Sequence, residues 1–218
     1  MLNDPKIMGE LVQKIELLVK QIDVAPTKNA WFGSLLKDIL NASIRELSHL
    51  RLGLEISTPI ATWACRNTLE LTIIAKYVLS NKQNADKFTN DLLIDGKEMF
   101  HAVRDWVQQH GEVSEPVLQT IANFEREIIR QGVIQRKHLE IADISKEVNY
   151  YEEYRTMNRL TSKLVHMSAL SVMEDYDQGE MVMLRSLMCN SGVRYVAQTY
   201  NDIREYVEEH GAEPIENT

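Results

Sequence analysis

The chain has 218 residues, 44% of them apolar and 26% charged, with only 9 Gly and 5 Pro. That is enough chain to bury a core without disulfide or metal staples, and too few turn residues for a many-stranded β protein. A formal net charge of −8 argues against a sequence-independent duplex binder, which needs a broad basic face.

Hydrophobic periodicity predicts about seven helices in an all-α, single-domain helical bundle. The first runs from the Asp4-Pro5 start to about Ile22, and Ala25-Pro26-Thr27 breaks the chain. The second covers about Asn29 to Glu55, with Phe32, Leu35, Leu36, Ile39, Leu47, Leu50 and Leu54 as its apolar stripe. Thr58-Pro59 opens the third, which ends near Leu79. Trp63, Ala64, Leu69, Leu71, Ile73, Ile74, Ala75, Val78 and Leu79 leave this helix apolar nearly all round, so it belongs at the centre. The fourth spans about Asn84 to His110-Gly111, its stripe being Phe88, Leu92, Met99, Val103 and Trp106. Ser114-Glu115-Pro116 opens the fifth, which stops at Gly132. Residues 133–148 read as irregular and 149–174 as a sixth helix. Asp175 to Glu180 reads as a polar loop and Met181 to Met188 as a short extended piece. A seventh helix runs from about Gly192 to Glu209. Residues 1–211 thus form the domain, and 212–218 a frayed tail.

Cys65 and Cys189 are too few for a disulfide framework, and Cys65 sits in an apolar run as a small core residue. Met1 to Lys20 lacks the continuous apolar segment of a signal peptide. Leu69 to Leu79 is interrupted by Glu70 and Lys76 and is too short to span a bilayer. A cytoplasmic protein without membrane association is expected. Charge is uneven. Residues 1–109 carry 13 basic and 13 acidic side chains, whereas residues 174–218 carry 3 basic and 10 acidic.

Two Glu-x-x-His motifs, Glu46/His49 and Glu98/His101, raise a di-iron bundle, which needs such motifs projecting inward with further carboxylates. At about 100° per residue, His49 lies about 120° from its helix's apolar stripe and His101 nearly opposite its own. Both motifs should therefore face solvent or a helix edge, and no metal or other cofactor is expected there.

The helix over 149–174 carries a second constellation. Arg155, Arg159, Ser162 and His166 are spaced 4, 3 and 4 and fall within about 60° on a helical wheel. Met157, Leu160, Leu164, Met167 and Val172 lie toward the other side. Such a face suits phosphate handling, since Arg offers a planar fork for oxygens and His moves protons near neutral pH. It equally describes a solvated helix face, or a His in an internal hydrogen-bond network. On the third helix Arg66, Glu70, Ile73 and Tyr77 follow one stripe. Arg66 and Glu70 are either an i,i+4 salt bridge at a helix boundary or groups that position another helix's side chains.

Arg159 and His166 stand as R-x6-H, which resembles the R-x4-6-H motif of HEPN proteins. The wider pattern is similar to an uncharacterised bacterial HEPN-like group. It pairs an Arg-x3-Glu helix continuing to a Tyr, here Arg66, Glu70 and Tyr77, with a Tyr-x7-Ser-x3-His helix, here Tyr154, Ser162 and His166. The likeness covers roughly residues 60–170. It implies a metal-independent endoribonuclease, a toxin or defence effector, active at a homodimer interface and held in check by an antitoxin. His166 would assist attack by a ribose 2′-OH and Arg159 would steady the scissile phosphate. Arg155 and Ser162 would bind substrate, with Arg66, Glu70, Tyr77 and Tyr154 behind them. Leu160 departs from the polar residue that HEPN nucleases commonly carry after the arginine. The competing expectation is a non-catalytic helical protein that binds a partner or small ligand.

Overall fold

The computed structural model describes residues 4–24, 28–133, 138–165 and 178–216. Among them are eight helices and no strand: α1 (Pro5–Val24), α2 (Ala30–Ile56), α3 (Thr58–Ser80), α4 (Lys82–Gln108), α5 (Glu115–Gln131), α6 (Ile141–Glu147), α7 (Tyr151–Val165) and α8 (Gln178–His210). The all-α expectation holds. The chain divides into two compact units, residues 1–82 with 141–218, and residues 83–140. The first unit is discontinuous in sequence, and the second is formed by the residues between its two segments.

In the first unit α3 packs against α2, α6, α7 and α8. Its own residues dictate this position: Ala61, Ala64, Cys65, Leu69, Ile73, Ala75, Tyr77 and Val78 are all buried, on more than one face. Small residues on the α8 side let backbones approach, and the hydroxyls there bond locally. Thr72 Oγ1 lies 2.9 Å from Thr68 O, 3.1 Å from Tyr195 O and 3.0 Å from Thr199 Oγ1. Its polar group is thus satisfied at the point where α3 crosses α8, and burial there carries little penalty.

The α2–α3 joint turns on a single residue. The Ser57 N–H closes α2 on Gly53 O at 3.0 Å, while its Oγ accepts from Ile60 N at 3.4 Å to cap α3. The cap is Ser57 rather than Thr58, with Pro59 just inside the helix. Gly53 admits the second helix, because a Cβ there would sit 2.3 Å from Ala61 N and 2.6 Å from Ala61 Cα.

Three expectations about elements are corrected. The stretch expected to be irregular contains α6, a seven-residue helix stopped by Asn149 at φ 61°. The piece at 181–188, expected to be extended, lies within α8, which runs on through Gly192. The tail is held as far as residue 216: Ala212 is buried, Tyr206 Oη donates to Glu213 O at 2.7 Å and accepts from Ile215 N at 3.0 Å. Glu213 also accepts from Lys28 N and Asn29 Nδ2, and Lys82 N donates to Ile215 O at 2.8 Å. The break at Ala25-Pro26-Thr27 and most of the 166–180 stretch lie outside the described residues.

In the second unit α4 and α5 meet through Gly96 against the Phe124 ring, and through the Phe100 and Phe124 rings, 5.8 Å apart. Ala85, Ile94 and Ile121 are buried in it. The stripe read as the core face of α4 is turned the other way, since Leu92, Met99, Val103 and Trp106 are exposed. The positions that meet α5, Gly96 and Phe100, lie to one side of that stripe, and Ile94 is buried on a different face of the helix.

Candidate functional site

Helix α7 is split as its periodicity demands. Met157, Thr161 and Leu164 are buried, four and three residues apart, while Arg155 and Arg159 on the opposite side are exposed and Ser162 is half-buried. The two arginines differ in their partners. Arg155 Nη2 is paired with Glu152 at 2.6 Å. No hydrogen bond or ion pair engages the Arg159 guanidinium among the described residues. Ser162 Oγ donates to Arg159 O at 3.0 Å, an internal helix bond. His166 lies outside the described residues.

Behind this face, α7 is tied to α3 and α8. Arg66 Nε binds Glu70 Oε1 at 2.8 Å, so the i,i+4 salt bridge is present. Arg66 also hydrogen-bonds Tyr154 of α7. Burial alone would lower the Arg66 pKa, but Glu70 and Tyr154 together outweigh it and hold the guanidinium more firmly charged. Arg66 thus bridges Glu70 on its own helix and Tyr154 on α7. Tyr77 is different: it is fully buried and about 16 Å along the helix axis from Arg66, so it is a core residue. On the α8 side Tyr195 Oη donates to Glu153 Oε1 at 2.6 Å, and Arg194 Nη2 reaches the same oxygen at 2.7 Å. Burial pushes the Tyr195 phenol up, and the Glu153 carboxylate adds to the shift.

Glu46 was not legible as a buried group. Its side chain is 4% exposed, with His49 Nδ1 at 3.2 Å and Arg45 Nε at 3.7 Å, and Asn67 Nδ2 donates to it at 3.3 Å. The expectation that the Glu46/His49 motif faces solvent is corrected for the glutamate. His49 sits at the helix edge, its ring 5.4 Å from the exposed Trp63. Glu46 and Glu70 line one open cleft with Arg45, Asn67, Leu71 and Ile74. The partner that makes the burial possible, Asn67, comes from another helix, which periodicity within α2 cannot reveal.

Sequence reasoning also missed a cluster in the second unit. Asp91, Asp95 and Glu98 stand four and three residues apart on α4, along one stripe. His138 returns to that stripe, with Nδ1 3.0 Å from Asp95 and 3.7 Å from Asp91, and Nε2 3.3 Å from Glu98. Asp91 accepts from Leu139 N at 3.2 Å. Burial raises its pKa, and the neighbouring Asp95 and Glu98 charges add to the rise. Glu98 therefore faces His138, and its motif partner His101 pairs instead with Glu125 at 3.5 Å.

Among the described residues no helix is long and apolar enough to cross a membrane. Comparison with known proteins finds a match over residues 54–180 to a family described only as being of unknown function, DUF5677. No curated protein and no solved structure matches.

Proposed function

The chain belongs to the DUF5677 family, and from that premise we propose that it is a metal-independent endoribonuclease whose reacting groups are Arg159 and His166. Every residue of this site falls within the stretch that matches the family. The observation that carries the reading is the state of Arg159, an exposed guanidinium with no partner among the described residues, on the side of α7 away from the core. A structural arginine is consumed by its carboxylate, as Arg66 is by Glu70. An unconsumed one is available to a phosphate, which it can grip through two parallel N–H···O bonds.

In the proposed reaction the His166 imidazole accepts the proton of a ribose 2′-OH. The freed oxygen attacks the adjacent phosphorus, the bond to the 5′-oxygen breaks as that oxygen takes a proton from solvent, and a 2′,3′-cyclic phosphate and a 5′-hydroxyl result. Arg159 neutralises the charge that builds on the non-bridging oxygens. Ser162 binds the flanking phosphate and Arg155 joins it by exchanging its exposed Glu152 partner for the phosphate, while Tyr154, held by Arg66, which is itself paired with Glu70, fixes how α7 lies on α3. A homodimer would bring two such faces together, and an antitoxin covering the face would silence it. The net charge of −8 weakens nonspecific RNA affinity and favours a defined target.

The test is cleavage of a mixed RNA pool in EDTA by wild-type, His166→Ala and Arg159→Lys proteins, each checked for helicity. Proton transfer by a positioned His contributes ~10²–10⁴-fold, so His166→Ala should lose nearly all cleavage. Arg159→Lys should lose much of it, because an ammonium cannot reproduce the fork. Equal cleavage by wild-type and His166→Ala refutes the proposal. One observation favours the other reading, a non-catalytic partner-binding protein: the exposed α4 stripe of Leu92, Met99, Val103 and Trp106 is an apolar face available to a partner.

A further inference from the structure

Three carboxylates along one helical stripe repel one another, and the Leu139 N–H that Asp91 accepts offsets only part of that. Asp91, Asp95 and Glu98 bring three negative charges to successive turns, and His138 supplies at most one positive charge. The deficit is two charges in a small volume, which suits a divalent cation. Carboxylates alone would suit calcium or magnesium. An imidazole nitrogen among them shifts the preference to a transition metal, for which nitrogen is a good ligand.

The atoms also have the right disposition. One oxygen each from Asp91 and Asp95 and a ring nitrogen of His138 all lie within 4.8 Å of one another. Tetrahedral zinc with N and O ligands at about 2.0–2.2 Å needs donor separations of roughly 3.3–3.6 Å, so modest side-chain rotations close the set. The remaining carboxylate occupies a telling place. Metal-ligating histidines almost always donate their second ring N–H to an oxygen acceptor, commonly a carboxylate, which fixes the tautomer and the ring. Here Nδ1 faces the two aspartates while Nε2 faces Glu98 at 3.3 Å. An isolated ion pair needs one such carboxylate; this ring has them on both nitrogens.

We propose that Asp91, Asp95 and His138 Nδ1 bind a zinc-like divalent transition metal, with Glu98 orienting the imidazole from its far side. Three protein ligands leave a fourth position open to water or a ligand. The ion would join α4 to the chain just after α5, within the second unit. It is separate from the α7 face, and cleavage read in EDTA is read on protein stripped of this ion, so the two proposals fail independently.

The full chain, freed of metal by chelation and dialysed, is titrated with zinc by calorimetry and equilibrium dialysis. A thermal melt is recorded with and without the ion. A single equivalent should bind and raise the melting temperature, with calcium and magnesium competing poorly. His138→Ala should abolish both effects. His138 is half-exposed, so the variant should stay folded, which circular dichroism checks. Glu98→Gln should weaken binding ~10–100-fold, as loss of an orienting carboxylate does. No stoichiometric uptake by wild-type protein, or undiminished uptake by His138→Ala, leaves an ion-pair cluster only and overturns the site.

Discussion

Replacing Gly53 by alanine asks how closely α2 and α3 must approach. The new Cβ would lie 2.3 Å from Ala61 N, 2.6 Å from Ala61 Cα and 2.9 Å from Ala61 Cβ, and ordinary contact begins near 3.4 Å. The helices must part by about 1 Å at the residue where they join, and two of the three obstructing atoms are backbone. Overpacking of a tight site typically costs ~1–3 kcal/mol, and rigid obstruction belongs at the upper end. Alanine returns about 1 kcal/mol of helix propensity. The net is a loss of about 2 kcal/mol, or roughly 4–8 °C in melting temperature for a body of this size. Gly192→Ala is the internal control. The atoms nearest its Cβ all belong to the Leu50 side chain, at 2.6 Å from one methyl and 2.8 Å from the other, and a side chain can yield where a backbone cannot. Thermal and urea unfolding of both variants decides the matter. A Gly53→Ala protein as stable as wild-type, or less affected than Gly192→Ala, would refute the argument from close approach.

Burial pushes the Cys65 thiol up to about 12 and the Cys189 thiol to about 11, from 9.0. Above pH 9 the unfolded chain ionises these thiols while the folded one does not. Their contribution is therefore complete below pH 9 and is lost as pH rises toward 11–12, at about 1.4 kcal/mol per pH unit per group. The urea midpoint should fall between pH 8.5 and 10.5 (roughly the start of this window), and a flat midpoint would contradict it. Glu70→Ala should destabilise by about 1–2 kcal/mol rather than the ~3–5 of a buried pair, because both side chains keep partial contact with water. A loss above about 4 kcal/mol would mean that Arg66 is stranded far more deeply than its exposure indicates.

The centrality of α3 was legible because two-sided apolarity has one solution in a bundle, and the split of α7 because its two faces differ in kind. Elsewhere the one-dimensional pattern underdetermined the answer. On α4 periodicity picks out the stripe that is exposed, and only the contact of Gly96 and Phe100 with Phe124 shows which face meets α5. Gly192 reads as a helix start, yet it lies within α8, where it packs against the Leu50 side chain. Helix α6 is too short to show a period. The Asp91–Asp95–His138 set spans more than forty positions, and no local motif links its halves. Glu46 is buried by Asn67 from the neighbouring helix. Of the candidate catalytic pair, Arg159 stands on the face its spacing predicts.

The discontinuity of the first unit bears on how the chain reaches this state. The α3–α8 seam is closed by contacts such as Thr72 to Tyr195 and Thr72 to Thr199, 123 and 127 positions apart. Sequence separations of that size make folding slow, since loop closure precedes the contacts that reward it. At about 5–20 residues per second, a ribosome needs roughly 6–25 s to go from α3 to the part of α8 that covers it. Throughout that interval the most apolar helix in the molecule waits without its partner, while the inserted pair α4–α5 is already complete. The nascent chain is therefore a natural client for a chaperone holding apolar helices, and aggregation during rapid expression should begin at α3.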